Sequence, residues 1–264
     1  MKPYEKKNVF RKIKIWTAVV VVLAIYVWAF AGAPIIEIKE TALAAMKGMF
    51  NGLIHPDWGY VYDPEGEDLL RSLLETFAIA VLGTFISAIL CIPFALVAAR
   101  NISKSRTTSS FFKVVLSAIR VFPELILALI FIKAVGLGPA AGIMALGLHS
   151  IGMLGKLISE AIEDLDLSAT ESIVASGGNK IQVLWFAVLP AVLPAFLSYT
   201  LYRFEISVRA AAILGIVGAG GIGAPLIFAL NGHSWDRVGI ILIGIVVMVT
   251  IIDVISASIR RRIV

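Results

Sequence analysis

Residues 171–190 read ESIVASGGNKIQVLWFAVLP, a polar interlude with a double glycine between two strongly apolar stretches. Ser168 followed by Glu171 has the form of a capping box, in which hydroxyl and carboxylate each take an unpaired backbone N–H. Gly177-Gly178-Asn179 stops that helix, because glycine readily takes the left-handed conformation a helix end needs. Beyond it Ile181, Leu184, Trp185 and Val188 recur at i, i+3, i+4 and i+7, the spacing of an amphipathic helix. Pro190 and Pro194 then mark the turn back into apolar sequence. The stretch predicts two short helices joined by a tight bend and tied to a longer one.

The surroundings of the bend are membrane-like. Hydrophobic residues make up 59% of the 264 and charged residues 16%, against about 45–50% and 25% in a soluble domain. Mean hydropathy is +0.93. Lipid must solvate most of this surface. About 20 mostly apolar residues cross a bilayer as a helix, and the candidates are Trp16–Ala33, Leu73–Ala99, Val114–Val135, Ala140–Ile158, Val192–Val217 and Val238–Ile259. The predicted fold is an all-α membrane protein with about six transmembrane helices.

Charge sets its orientation. Of the 23 Lys and Arg, Lys2, Lys6, Lys7, Arg11, Lys12 and Lys14 open the chain, and Arg260, Arg261 and Arg262 close it. Arg100, Lys104, Arg106 and Lys113 follow the second span. The positive-inside rule puts all of these, and both termini, in the cytoplasm. The net charge of +5 therefore reflects membrane anchoring and points to no nucleic-acid partner. Residues 34–68 carry Glu37, Glu40, Asp57, Asp63, Glu65, Glu67 and Asp68 and belong outside. Within them Ile35–Phe50 reads as an amphipathic packing helix, and Trp58, Tyr60 and Tyr62 suit a membrane interface.

Residues 1–15 are thus a cytoplasmic basic segment, 16–33 a first anchor helix, 34–70 an extracytoplasmic segment and 71–264 the transmembrane core, with 159–190 cytoplasmic. The first span resembles a signal peptide in its basic start and its Ala31-Gly32-Ala33 end. Its length and the spans beyond it favour a retained anchor. Cys91, the one cysteine, sits in an apolar run as a packing residue and allows no intrachain disulfide.

At the bend the chain resembles the permeases of ABC importers. Their "EAA" loop runs Glu-Ala-Ala, three residues, Gly, nine residues, Ile, one residue, Leu-Pro. Glu171, Gly177, Leu189 and Pro190 stand at the matching offsets, with Ser172 and Ile173 in place of the alanines and Ala187 in place of the isoleucine. VFPELILALIFIKAVGLGP (121–139), GIMALGLHSIGMLGKLISEAIEDLD (142–166) and FLSYTLYRFEISVRAAAILGIVGAGGIG (196–223) resemble the permease of phosphonate importers and its phosphite- and phosphate-handling relatives. The resemblance implies a type I ABC-importer permease of the bacterial inner membrane. It further implies a homodimer, two cytosolic ATPase subunits holding ATP and Mg²⁺, and an extracytoplasmic phosphonate- or phosphate-binding protein. On the same basis this chain binds no cofactor or metal itself. Glu171, Gly177, Gly178, Ile181, Leu184, Leu189 and Pro190 then form the surface that couples to the ATPase.

The fifth span carries Arg203, Glu205 and Arg209. At the bilayer centre each costs roughly 2.5–3.5 kcal/mol on the insertion scale, while each Leu, Ile, Phe or Val returns about 0.3–0.6. Twelve such residues in 192–217 return roughly 4–7 kcal/mol against as much as about 8–10 for the three charges. The segment must face a packed or wet interior. Glu205 and Arg209, four apart, are expected to pair within the helix. Arg203 has no such neighbour, and an unpaired intramembrane arginine suits an oxyanion pathway. Arg120 and Glu124 form a similar i, i+4 pair interrupted by Pro123, in a structural or gating role. His149 reads as a hydrogen-bonded interior histidine with a pathway role open.

Gly218-x-Gly220-x-x-Gly223 matches a dinucleotide fingerprint, but that motif needs a soluble βαβ unit and a later acid, and Asp236 comes too early. Gly218, Gly220, Gly221 and Gly223 instead suit close helix approach or a flexible turn at an outer gate. No HExxH, GxSxG or paired-carboxylate pattern points to an enzyme. A secondary transporter would explain the buried charges but not the elbow, and inverted repeats are not evident.

Overall fold

The computed structural model describes residues 4–32, 40–64, 66, 68–103, 105–166 and 168–263. Lys2, the Ala33 boundary, the Ile35 start of the outer amphipathic helix, and Glu37, Glu65, Glu67 and Lys104 lie outside them. Among the described residues the chain is helical, without a strand. It divides into two compact units, Met1–Lys47 and Gly48–Val264. The first contains α1 (Tyr4–Gly32), whose Lys12–Ala31 stretch is long and apolar enough to cross a membrane. It also holds the start of α2 (Glu40–Ile54).

In the second unit α3 (Leu69–Ala98) packs along α6 (Pro139–Glu163), and small residues let the two approach. A Cβ on Gly83 would lie 3.0 Å from Leu146 Cβ. Between these helices run α4 (Arg106–Val121) and α5 (Glu124–Val135). After α6 come α7 (Ser168–Ala175), α8 (Lys180–Val183), α9 (Leu189–Leu214), α10 (Gly223–Asn231) and α11 (Trp235–Ile263). Three apolar clusters succeed one another along α3. Leu69 joins Ile222 and Ile240 at its start, Ile79 and Ala80 join Leu146 and Val208 further on, and Cys91 and Ala95 join Leu154 and Val192 near its end. Gly52 of α2 lies directly against the Trp235 backbone, and a Cβ there would clash.

Among the described residues five helices are long and apolar enough to cross a membrane. The expected third span, Val114–Val135, is not one straight helix: α4 and α5 meet at 86°. Pro123 lacks an N–H and forces Phe122 into an extended conformation (ψ 124°), which ends α4. α5 has 12 residues, roughly 18 Å of helix at about 1.5 Å per residue, too short to cross alone. Counting the bent pair as one gives six.

The fifth span also differs. Pro190 and Pro194 do not mark a turn, since one helical path runs for 38 residues from Lys180 to Val217. A π turn over Leu184–Val188 widens the helix just before Pro190, and Leu189 N–H bonds back to Leu184 O. The wider turn accommodates the proline ring without breaking the helix.

The α4–α6 contact makes a stability prediction. A Cβ on Gly152 would come within 2.9 Å of Leu116 O and 3.0 Å of Arg120 N, both backbone atoms of α4. Gly152→Leu should lower stability by roughly 1–3 kcal/mol, read by thermal unfolding in detergent. Gly147→Ala, with 3.7 Å to its nearest neighbour, should melt at or above the wild-type temperature.

Candidate functional site

The break at Pro123 decides where the buried charges go. Because α4 ends at Val121, Glu124 starts a new helix, does not pair with Arg120, and points at α9. There it meets Arg203, the largest fully buried side chain, at 2% exposure. Arg203 Nη2 donates to Glu124 Oε1 (2.5 Å), Nε to Ser150 Oγ (2.7 Å), and Nη1 reaches Met153 Sδ (3.7 Å). The arginine expected to be unpaired is therefore fully engaged.

His149 completes the network. It is the hydrogen-bonded interior histidine the sequence suggests. Its Nδ1 lies 3.1 Å from the Phe122 carbonyl, left without a helical partner by the break, and since a carbonyl only accepts, Nδ1 carries the proton. Nε2 lies 3.5 Å from Glu124 Oε1.

Glu205 and Arg209 do not pair with each other. Each reaches across to α11, where Asp253 and Arg260 stand two turns apart. Arg260 donates to Glu205, and its guanidinium lies 5.9 Å from the Tyr202 ring. Arg209 Nη2 donates to both Asp253 oxygens at 3.0 and 3.2 Å. Sequence reasoning missed Asp253, although a lone acid in an apolar span is itself a signal. It also read Arg260 only as an anchor.

A cavity of 450 Å³ opens between α5, α6 and α9, lined by Pro123, Glu124, Leu125, His149, Ile206, Arg209, Ala210, Ile213 and Leu214. Arg203 is not on its wall. The structure thus brings Glu124, His149, Arg203 and Arg209 together and leaves Arg120 exposed on α4.

The elbow is stiffer than its glycines suggest. Gly177 takes φ +82°. Gly177 N–H bonds Val174 O (3.0 Å) and Gly178 N–H bonds Ile173 O (2.9 Å), the paired bonds of a Schellman stop. The capping box lies elsewhere than expected. Asn179 N–H donates to Gln182 Oε1 (2.7 Å) and Gln182 N–H to Asn179 Oδ1 (2.9 Å). Ser168 instead donates through its N–H and hydroxyl to Asp166, whose carboxyl those bonds hold below its ordinary range. Asp166 sits just before α7 and takes both bonds before Ser168 can cap.

The predicted apolar stripe is divided. Val188 is buried and Leu184 half-buried, while Ile181 and Trp185 face outward with Val174 and Phe186. Glu171 and Pro190 are also exposed, as is Leu189. The π turn accounts for the split, because it rotates the faces that a regular helix would align.

Gly218, Gly220 and Gly221 take φ of +89°, +82° and +80°. They do not form a loose turn. Gly221 N–H donates to Glu75 Oε1 (3.1 Å), Ile222 N–H to Thr76 Oγ1 (2.8 Å) and Gly138 N–H to Gly218 O (2.9 Å). A Cβ on Gly221 would lie 2.6 Å from Thr76 Oγ1, and Gly223 packs against the backbone of Gly215 and Ile216. Three segments are stitched together here. Sequence reasoning also missed Glu75.

Solved proteins share this architecture. The inward-facing MetNI methionine ABC transporter aligns over 74% of this chain and 96% of its own, with TM-score 0.65 and 20% identity. A bacterial ABC transporter involved in import of the acidic polysaccharide alginate aligns over 97% and 99%, with TM-score 0.60 and 14% identity. The fold is that of type I ABC-importer permeases. Residues 91–264 match the model for "Binding-protein-dependent transport system inner membrane component", and the chain belongs to that family. Among its relatives, the phosphite transport system permease protein PtxC of Stutzerimonas stutzeri is 42% identical over 193 residues, 73% of this chain and 70% of that one. The phosphate-import permease protein PhnE of Mycolicibacterium smegmatis is 37% identical over 242 residues, 92% of this chain and 42% of that longer one.

Removing one partner of a buried pair costs roughly 3–5 kcal/mol, because the other charge is left unopposed. Glu124→Gln should therefore lower the melting temperature in detergent markedly. Adding Arg203→Met to it should restore much of the loss, a non-additivity measurable as a double-mutant cycle.

Proposed function

We propose that this chain is the permease subunit of an ABC importer for phosphonate or a closely related phosphorus oxyanion, phosphite or phosphate. Two copies enclose the pathway, a binding protein delivers the anion from outside, and ATP is hydrolysed on cytosolic partner subunits. The 42% identity to a phosphite permease across 70% of its length carries the substrate class. The cavity bearing Arg209 supports it, since an anion needs a cationic donor inside an apolar span.

The elbow is the docking surface for the ATPase. Exposed Val174, Ile181, Trp185 and Phe186 give it apolar contact area, and Glu171 adds an exposed charge at the start of α7. From it one helical path leads to Arg203 and Arg209. A displacement of the elbow is therefore passed to the helix that carries the cavity wall. ATP binding shifts the balance between inward- and outward-facing states only because the ATPase docks differently on the two. The pinned glycines at 218, 220, 221 and 223 form the outer gate, held shut through Glu75 and Thr76.

Two measurements test this. Proteoliposomes holding the permease with its ATPase and binding protein should accumulate phosphite, methylphosphonate or phosphate only when ATP is supplied. Uptake driven by a proton gradient with no ATPase present would refute the reading. Gly177→Pro cannot adopt φ +82° and loses the bond to Val174 O. It should leave membrane insertion intact and abolish transport-coupled ATP hydrolysis.

A further inference from the structure

We infer that Arg209, rather than Arg203, receives the phosphorus oxyanion, and that Asp253 is the built-in carboxylate with which the anion exchanges. This rests on the function proposed above. Arg203 is spent: its three guanidinium nitrogens face Ser150, Met153 and Glu124, and it lies off the cavity wall. An anion could reach it only by breaking a buried pair.

Arg209 is placed differently. Its side chain is 50% exposed and lines the 450 Å³ cavity beside His149. Nη2 alone serves both Asp253 oxygens, so among the described residues Nη1 and Nε make no hydrogen bond. A planar guanidinium recognises oxyanions through two parallel N–H donors, and both of its bidentate edges include Nη2, so a forked oxyanion takes Nη2 from Asp253 and adds the free Nη1 or Nε. The remaining wall is apolar except for Glu124, whose charge Arg203 already opposes.

The setting of the pair says what lies beyond it. Asp253 is 42% exposed on a helix whose neighbours Ile251, Val254 and Ile255 are themselves exposed. Charges facing lipid at such a position are costly, so this face meets water or a second copy. Asp253 neutralises Arg209 while the cavity is empty. An entering oxyanion takes Nη2 together with Nη1 or Nε and so displaces the carboxylate, and Asp253 recloses on the arginine as the anion leaves. One anion replaces another, which keeps occupancy brief.

A charge swap separates this from a structural pair. Arg209→Asp combined with Asp253→Arg keeps the ion pair but puts an acid on the cavity wall. In the complete transporter, assayed in proteoliposomes with phosphite, methylphosphonate and phosphate, the swap should assemble normally. It should lower kcat/KM by at least about tenfold, the loss of a charge-assisted hydrogen bond. Wild-type transport by the assembled swap overturns the inference. Arg209→Lys, which keeps the charge and the contact to Asp253, decides the matter should the swap not assemble. A raised KM at unchanged melting temperature supports the anion role, and a wild-type KM overturns it. Wild-type liposomes that take up none of the three anions would overturn the proposed function itself, a result distinct from either.

Discussion

Proline at 123 and the ion pair it makes possible govern the interior of this protein. Had α4 continued, Glu124 would have stayed on its axis, one turn from Arg120, and Arg203 would have been left buried without a counter-charge. The break frees Glu124 to start a helix that faces α9. It also exposes the Phe122 carbonyl to His149. A helix interruption, a neutralised arginine and a fixed imidazole share one cause. Burial of so large a cation is tolerable only because of that shared cause, since an isolated charge in such a site costs several kcal/mol.

The same economy of parts appears in the path from the elbow to the cavity. Glycine usually loosens a chain, yet Gly177 and Gly178 here close a Schellman stop, and the next residues form a reciprocal capping box. Both ends of the bend are thus held by paired backbone groups. Past the bend the chain stays helical without interruption, with a π turn absorbing the strain of Pro190. A stiff bend on a long helix transmits displacement, whereas a flexible one would dissipate it. At the far end the positive-φ glycines are pinned to α3, so that movement of α9 meets a latch rather than a slack loop.

Much of this is legible in the sequence because it is local. A left-handed residue favours glycine, and Gly177 and Gly218 announce their bends. Apolar run lengths give most of the spans, and the EAA-like offsets give the family. What escapes is tertiary choice. Glu205 and Arg209 are at ideal spacing to pair along one helix, but α11 brings Arg260 to Glu205 and Asp253 to Arg209. The i, i+4 rule ranks neighbours only within a helix and is worth a few tenths of a kcal/mol, little enough for an interhelical partner to override. Pro123 signals an interruption, yet apolar length alone runs straight through it. The capping box moves because Asp166 competes for Ser168, a contest between two acceptors that spacing alone does not resolve.

An importer must also let its cargo go, and this limits how a cation can be used within the bilayer. Two unit charges 4 Å apart attract by about 4 kcal/mol at an effective dielectric of about 20, and by more as water is excluded. A bare arginine on the pathway would bind a divalent oxyanion firmly enough to slow release. One already neutralised and buried, as Arg203 is, would scarcely bind it. Arg209 lies between these limits: half-exposed, held through one nitrogen, and facing a competing carboxylate of its own. On the proposed exchange, the net gain on anion entry is a difference between two similar contacts. Such a difference is small enough to be reversed by a modest change in the distance between α9 and α11.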